Sequence, residues 1–377
     1  MEYLCFLVFY VLFLAGIAFS CQILGFDNRF KLIAIFVLLV LVASFFAIRP
    51  FDFPDTYTYS CTYNAVDDYS YSANVLEREP YSDMEYGYVY IMLFFHWLGF
   101  NFEMFSFCIS LFSMAVFMLW IFKCMEYLGI SYTKYKMKCS LLVPFVIYLM
   151  MFGIEYNLVQ MRTLLSVSVC LLGYIFLFNK KNVLFFVMIF IGFCIHRMAI
   201  IELIPYLVFL CNKNVLPKII FVLLWFISLI FMIIETRYSV FFDSTSQMLF
   251  ALLADNMGIN YNSYNVSATN GIAKNCSLLT LWINGILFWS LYKENIKNTL
   301  FMTIYLLLLF IVAFLCNLDA VIRIVDLLSI WLMPMNVYCF YVWTGNNISR
   351  CICYLFLLLM YLLLPFRMFF MEFSIYS

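Results

Sequence analysis

The sequence predicts an all-α, polytopic integral membrane protein. Composition is the first reason: 67% of the 377 residues are apolar, only 11% are charged, and the mean hydropathy is +1.00. A soluble globular domain has no such balance. The second reason is length, since runs such as 32–48, 104–122 and 301–316 approach or reach what a helix needs to cross about 30 Å of hydrocarbon. The third is the lack of ten-residue alternating strands, which leaves helices as the way to satisfy the backbone in lipid. Zero formal net charge without a basic patch excludes a nucleic-acid partner.

About twelve spans are expected, at 3–24, 31–48, 103–122, 140–153, 160–178, 183–196, 198–211, 219–235, 277–292, 299–316, 324–343 and 351–368. The first lacks a basic n-region and an Ala-x-Ala site, so it reads as a retained helix rather than a cleaved signal. Several central spans are short, which suits tilted, broken or re-entrant helices. The stretch 85–99 is short and aromatic-rich, with Gly87, His96 and Gly99, and is expected to be an interfacial or re-entrant helix. The positive-inside rule agrees with that choice. With the N-terminus outside, loops carrying Lys123, Lys134, Lys136, Lys138, Lys180 and Lys181 all fall on the cytoplasmic side. A full span at 85–99 would move those lysines outside.

The outer side then holds two long polar segments: 49–84, which together with the helix at 85–99 makes an extracytoplasmic region over 49–102, and 236–276, rich in Asn, Ser and Tyr. Loops of this length are usually functional or disordered, and Asn with Tyr suits hydrogen bonding and stacking on sugars. No internal repeat or soluble domain is evident, so residues 1–377 are expected to form a single membrane domain. Most of the fourteen Cys sit inside apolar runs and no Cys-x-x-Cys occurs, which favours buried thiols over metal or redox chemistry.

Ionisable residues within or beside apolar runs need a partner or a function, because a charge in lipid costs a few kcal/mol. In this topology they gather at the outer face: Arg49 after the second span, Asp52 and Asp55 beyond it, Glu85, Arg162 after Gln160, His196-Arg197 with Glu202, and Arg323 between Asp319 and Asp326. A guanidinium stays charged and grips phosphate oxygens in a fork. Arg49, Arg162, Arg197 and Arg323 are therefore candidates for holding a lipid-linked pyrophosphate, whose charge develops as a glycosidic bond breaks. No Asp-x-Asp motif is present to bind a metal for that purpose, and no metal or other cofactor is expected. The plainer alternatives are that Arg49 and Arg323 snorkel at the interface, that Arg323 pairs with Asp319 or Asp326 on one helical face, and that Glu202 is an ordinary helix-end carboxylate.

Several of these residues lie in an order that resembles a known family. Arg49-x5-Asp55-x3-Tyr59 is followed by Glu85-x-Gly87 opening an aromatic helix, then by Gln160-x-Arg162, by His196-Arg197-Met198-Ala199-Ile200 before Pro205, and by an arginine-led helix from Arg323 towards Pro334. The pattern resembles the EpsG family of polysaccharide polymerases, akin to Wzy-type O-antigen polymerases. The resemblance implies a GT-C-like glycosyltransferase of the bacterial cytoplasmic membrane that joins undecaprenyl-pyrophosphate-linked repeat units on the periplasmic or outer side. The product would be O-antigen, capsule or exopolysaccharide, and a flippase and a chain-length regulator would be its partners. His196, or one of Asp52, Asp55 and Glu85, would take the acceptor proton, with Tyr59, Gln160, Glu202, Asp319 and Asp326 in support. A flippase of lipid-linked sugars, a glycan ligase and a membrane acyltransferase are the competing functions.

Overall fold

The computed structural model describes residues 28–49, 56–64, 84–127, 142–158, 160–211, 222–223, 225–227, 281, 284–285, 299–315, 324–325 and 327–342. The expected spans at 3–24 and 351–368, the loop at 236–276, and Asp52, Asp55, Asp319, Arg323 and Asp326 lie outside the described residues, as do most of the spans at 219–235 and 277–292. Every described element is helical. The chain divides into two compact units, Met1–Leu203 and Ile204–Ser377.

The first unit contains α1 (Asn28–Ala47), α2 (Thr56–Asn64), α3 (Tyr86–Trp97) and α4 (Phe102–Tyr127). A helical run then passes from α5 (Leu142–Tyr148) through a π-helical turn (Leu149–Gly153) into α6 (Ile154–Leu158). That run extends past the expected end at 153. After a break at Gln160 come α7 (Met161–Phe178) and α8 (Asn182–Ile195), followed by a 3-10 segment (Arg197–Glu202). The expected span at 198–211 thus begins as a 3-10 turn and continues as α9 (Leu203–Cys211), which starts at the boundary between the units. The stretch 85–99 forms only the twelve-residue α3, and Gly99, at φ 78°, turns the chain into α4. A left-handed residue is what such a tight reversal needs, and glycine supplies it without steric cost.

By length and apolarity, α4 and α7 are able to cross a bilayer. The outward faces of the neighbouring helices also suit lipid. Ile33, Phe36, Val37 and Leu41 on α1, and Val183, Phe186, Val187 and Phe190 on α8, are all exposed. Apolar faces of that extent seldom face water in a monomeric soluble protein.

Two ends of the first unit can be told apart. Tyr127 closes α4 and stacks on Phe178 at the close of α7, with ring centroids 4.8 Å apart. The turn that follows carries Lys180, at φ 62°, and Lys181. At the other end, Arg49 follows α1 and its guanidinium lies over the ring of Phe102, the first residue of α4. The eighteen residues of α7 separate the two ends by about 27 Å at 1.5 Å per residue. Lysines therefore mark one end of this unit, while Arg49, Arg162 and His196 mark the other.

In the second unit α10 (Thr299–Leu315) packs against a 3-10 turn (Ile330–Leu332) that leads into α11 (Met333–Val342), with Phe301 against Trp331 at 6.2 Å. Tyr305 donates its hydroxyl to the Leu281 carbonyl at 2.6 Å, and Gly285 leaves room for that tyrosine.

Candidate functional site

Glu85 immediately precedes α3 in an extended conformation (φ −68°, ψ 139°). Its backbone carbonyl starts the helix by accepting from Tyr88 N–H at 3.0 Å, but its side chain does not cap α3. The carboxylate turns instead to groups remote in the chain. Oε2 accepts from an Arg162 guanidinium nitrogen at 2.8 Å, and Oε1 meets His196 Nδ1 at 2.8 Å and the Arg197 backbone N–H at 3.1 Å.

All three side chains are mostly shielded, with exposures of 13% for Glu85, 21% for Arg162 and 15% for His196. Burial alone raises the Glu85 pKa, yet the His196 hydrogen bond and charge, the Arg162 charge and the Arg197 N–H outweigh it and hold the carboxyl at about 2. An ionised carboxylate only accepts, so the Nδ1 facing it carries the proton. Arg162 compensates the carboxylate from the other side. Removing the Glu85 charge would take away the counter-charge that Arg162 and His196 share, at a cost on the order of 1–3 kcal/mol.

The fold brings these residues together by close backbone approach. A side chain on Gly87 would place its Cβ 2.5 Å from the Cys194 carbonyl oxygen, so glycine there lets the first turn of α3 lie on the last turn of α8. Glu85 is two residues before that contact and His196 is two residues after it. Along α7, Arg162, Ser166, Cys170 and Gly173 recur at helical spacing on one face. Ser166 donates to the Gly192 carbonyl at 2.9 Å, and a Cβ on Gly192 would lie 2.5 Å from the Cys170 sulfur. These small residues seat α8 against α7, which sets His196 beside Arg162. His196 then leaves the helix in an extended conformation (φ −155°, ψ 124°) and turns both its ring and the next N–H to Glu85.

The other expected site residues divide among several places. Arg197 is exposed, with its backbone on Glu85, and no described residue pairs with its guanidinium. Arg49 is buried in a second polar cluster. It donates to the carbonyls of Asn157 and Leu158, and to Ser106 Oγ at 2.9 Å. Tyr59 packs edge-on against Tyr88 of α3 at 5.8 Å, a structural contact beneath the helix that Glu85 opens. Gln160 occupies the break before α7 (φ −114°, ψ 52°), and its carbonyl accepts from Leu164 N–H at 2.9 Å. Glu202 is fully buried, and Tyr174 donates its hydroxyl to the Glu202 backbone carbonyl. The described residues thus assemble Glu85, Arg162, His196 and Arg197, and place Arg49, Tyr59 and Glu202 apart from that cluster.

Sequence reasoning missed Ser106, Thr56, Asn157, Ser166 and Gly192. Asn157 interrupts an apolar stretch, and Gly192 precedes His196 by one helical turn in an apolar run; both were visible signals of close packing or hydrogen bonding.

Among the described residues no group of three or more His, Cys, Asp and Glu is placed to hold a metal ion. The Glu85 cluster offers one carboxylate and one imidazole beside a guanidinium that repels cations. What it suits is an anion or a hydroxyl group approaching the exposed Arg197 side.

Fold and site together define a class: an all-helical protein suited to a membrane, carrying a carboxylate–imidazole–guanidinium cluster at one end of its helices. Comparison with protein families names it further. The EpsG family model matches residues 32–377, and the chain belongs to the EpsG family, whose members are Wzy-type polysaccharide polymerases. Neither a curated protein nor a solved structure matches significantly.

Proposed function

We propose that this protein polymerises undecaprenyl-pyrophosphate-linked oligosaccharide repeat units on the outer face of the bacterial cytoplasmic membrane, without a metal ion. The observation that carries the proposal is Glu85, which joins an imidazole and a guanidinium at 2.8 Å each. Chemistry supports the pairing. The acceptor sugar hydroxyl attacks the anomeric carbon of the donor glycan, the bond from that carbon to the pyrophosphate oxygen breaks, and the lipid pyrophosphate leaves with the bonding electrons. Two groups are needed: a base for the hydroxyl proton and cations for the leaving group.

His196 fills the first role. With Nδ1–H donated to Glu85, its Nε2 accepts the hydroxyl proton, and the carboxylate stabilises the imidazolium that forms. Glu85 therefore orients the base rather than acting as one. Arg197, exposed beside the cluster, and Arg162, fixed within it, supply the charge for the pyrophosphate oxygens. Arg323 and the carboxylates Asp52 and Asp55 remain proposed contacts to pyrophosphate and sugar. Placement on the outer face rests on the lysines Lys123, Lys180 and Lys181 marking the opposite end as cytoplasmic.

Deletion of the gene, followed by gels of surface glycan and of lipid-linked intermediates, tests the proposal. Loss of the long-chain ladder with a single repeat unit still exported is expected. Accumulation of that unit in the cytoplasmic leaflet would point to a flippase instead.

A further inference from the structure

The break between α6 and α7 has an unusual guard. A helical run ending at Leu158 leaves its last carbonyls without intrahelical donors, and those carbonyls carry the negative end of the helix dipole. Arg49, arriving from the end of α1, donates to two of them, Asn157 and Leu158. Its other terminal nitrogen reaches Ser106 Oγ at 2.9 Å and Met161 Sδ at 3.3 Å, and the guanidinium lies 5.7 Å from the centre of the Phe102 ring. Thr56 Oγ1 donates to the Leu158 carbonyl at 3.1 Å. Asn157 adds a lock of its own, donating from Nδ2 to the Gly153 carbonyl at 2.6 Å. Two residues past Gln160, within the first turn of α7, comes Arg162.

We propose that Arg49 is a positioning residue: it clamps the carbonyl end of α6 and thereby fixes the start of α7, from which Arg162 reaches Glu85. The inference rests on the function proposed above and assigns Arg49 a role other than phosphate binding. A guanidinium only 5% exposed, with both terminal nitrogens committed to carbonyls, a hydroxyl and a thioether, has no fork left for phosphate. Phosphate could enter only by displacing the groups that hold the break closed. What Arg49 does set is geometry. The Leu164 N–H to Gln160 carbonyl bond opens α7, and a shift of that turn moves the Arg162 guanidinium off the carboxylate it meets at 2.8 Å.

The test uses the full chain in lipid nanodiscs, with three readouts: amide hydrogen exchange over 157–164, binding of geranylgeranyl pyrophosphate as the probe, and turnover of lipid-linked repeat unit. Arg49→Gln is expected to raise exchange over 157–164 by about tenfold or more. It should lower kcat by about a hundredfold while KM stays within about threefold, the loss expected for misplacement of roughly 1 Å. Arg49→Lys should restore part of both protection and kcat, because one ammonium still reaches a carbonyl. Arg162→Gln, the comparison, should weaken probe binding. The proposal is overturned if Arg49→Gln weakens probe binding as much as Arg162→Gln while exchange over 157–164 is unchanged. If Arg49→Gln does not fold, Thr56→Val decides: raised exchange in the same segment supports the clamp, and wild-type exchange overturns it. Should the wild-type chain neither bind the probe nor extend repeat units, the proposed function fails, while the exchange comparison still decides the role of Arg49.

Discussion

Glu85 and His196 are 111 residues apart in the chain, yet their Oε1 and Nδ1 atoms lie 2.8 Å apart. In the reaction proposed above, His196 is the proton acceptor and Glu85 its fixed counter-charge. Glu85→Gln keeps the shape and a hydrogen-bond acceptor but removes the charge. Polymer formation per inserted molecule should fall by about 10²-fold or more, and His196→Ala should fall at least as far. Normal insertion with a near wild-type glycan ladder in either variant would remove the pair from the reaction.

Gly87 carries a separate prediction, because its role is spatial. Alanine there puts a methyl group 2.5 Å from the Cys194 carbonyl oxygen, and backbone cannot yield as a flexible side chain would. Gly87→Ala should push α3 from the end of α8 and part Glu85 from His196. A loss of activity close to that of Glu85→Gln is expected, with a drop in stability of about 1–3 kcal/mol. Full activity in Gly87→Ala would show that the close approach does not position the carboxylate.

Arg162 and Arg197 should answer differently to lysine. Arg162 is fixed on Glu85, and a lysine still pairs with one oxygen there, so Arg162→Lys should retain folding while losing most turnover through the missing fork. Arg197 is exposed and holds Glu85 only through its backbone N–H. Arg197→Ala should therefore leave thermal stability within about 0.5 kcal/mol and raise KM for the lipid-linked unit. Measured melting temperatures and KM values of the two variants check this, and a strongly destabilised Arg197→Ala would contradict it.

Acid stability follows from Glu85. Its carboxyl, held at about 2 against an ordinary 4.5, stabilises the folded state fully above pH 4.5, and the contribution is lost as pH falls through about 2. The stability gap between wild type and Glu85→Gln, on the order of 1–3 kcal/mol, should be fully present at pH 5 and narrow as pH falls from 4.5 towards 2. Thermal melts in detergent across that range give the answer; a gap that fails to narrow below pH 4.5 contradicts the assignment.

Much of this arrangement was legible in the sequence, for physical reasons particular to each residue. Arg162, His196 and Glu85 stood out because each interrupts or borders an apolar run where a charge needs a partner. The stretch 85–99 was expected to be a short interfacial or re-entrant helix because of its length and of lysines that would otherwise face outward, and it forms the twelve-residue α3. Partner choice was not legible. For Arg49, the sequence shows a charge and not the helix-end carbonyls of Asn157 and Leu158 to which it donates. Gly192 and Ser166 carry no signal of which neighbour they approach, since a close backbone approach exists only once two helices have met. The π-helical turn at Leu149–Gly153, too, has no signature in a run of Leu, Met and Phe.

The most direct test is a reconstituted reaction: purified chain in lipid vesicles, given a lipid-pyrophosphate oligosaccharide repeat unit, with products resolved on a gel. A ladder of multiples from wild type, absent with equally folded Glu85→Gln and His196→Ala, is the predicted result. A ladder that persists undiminished in both variants would contradict the account.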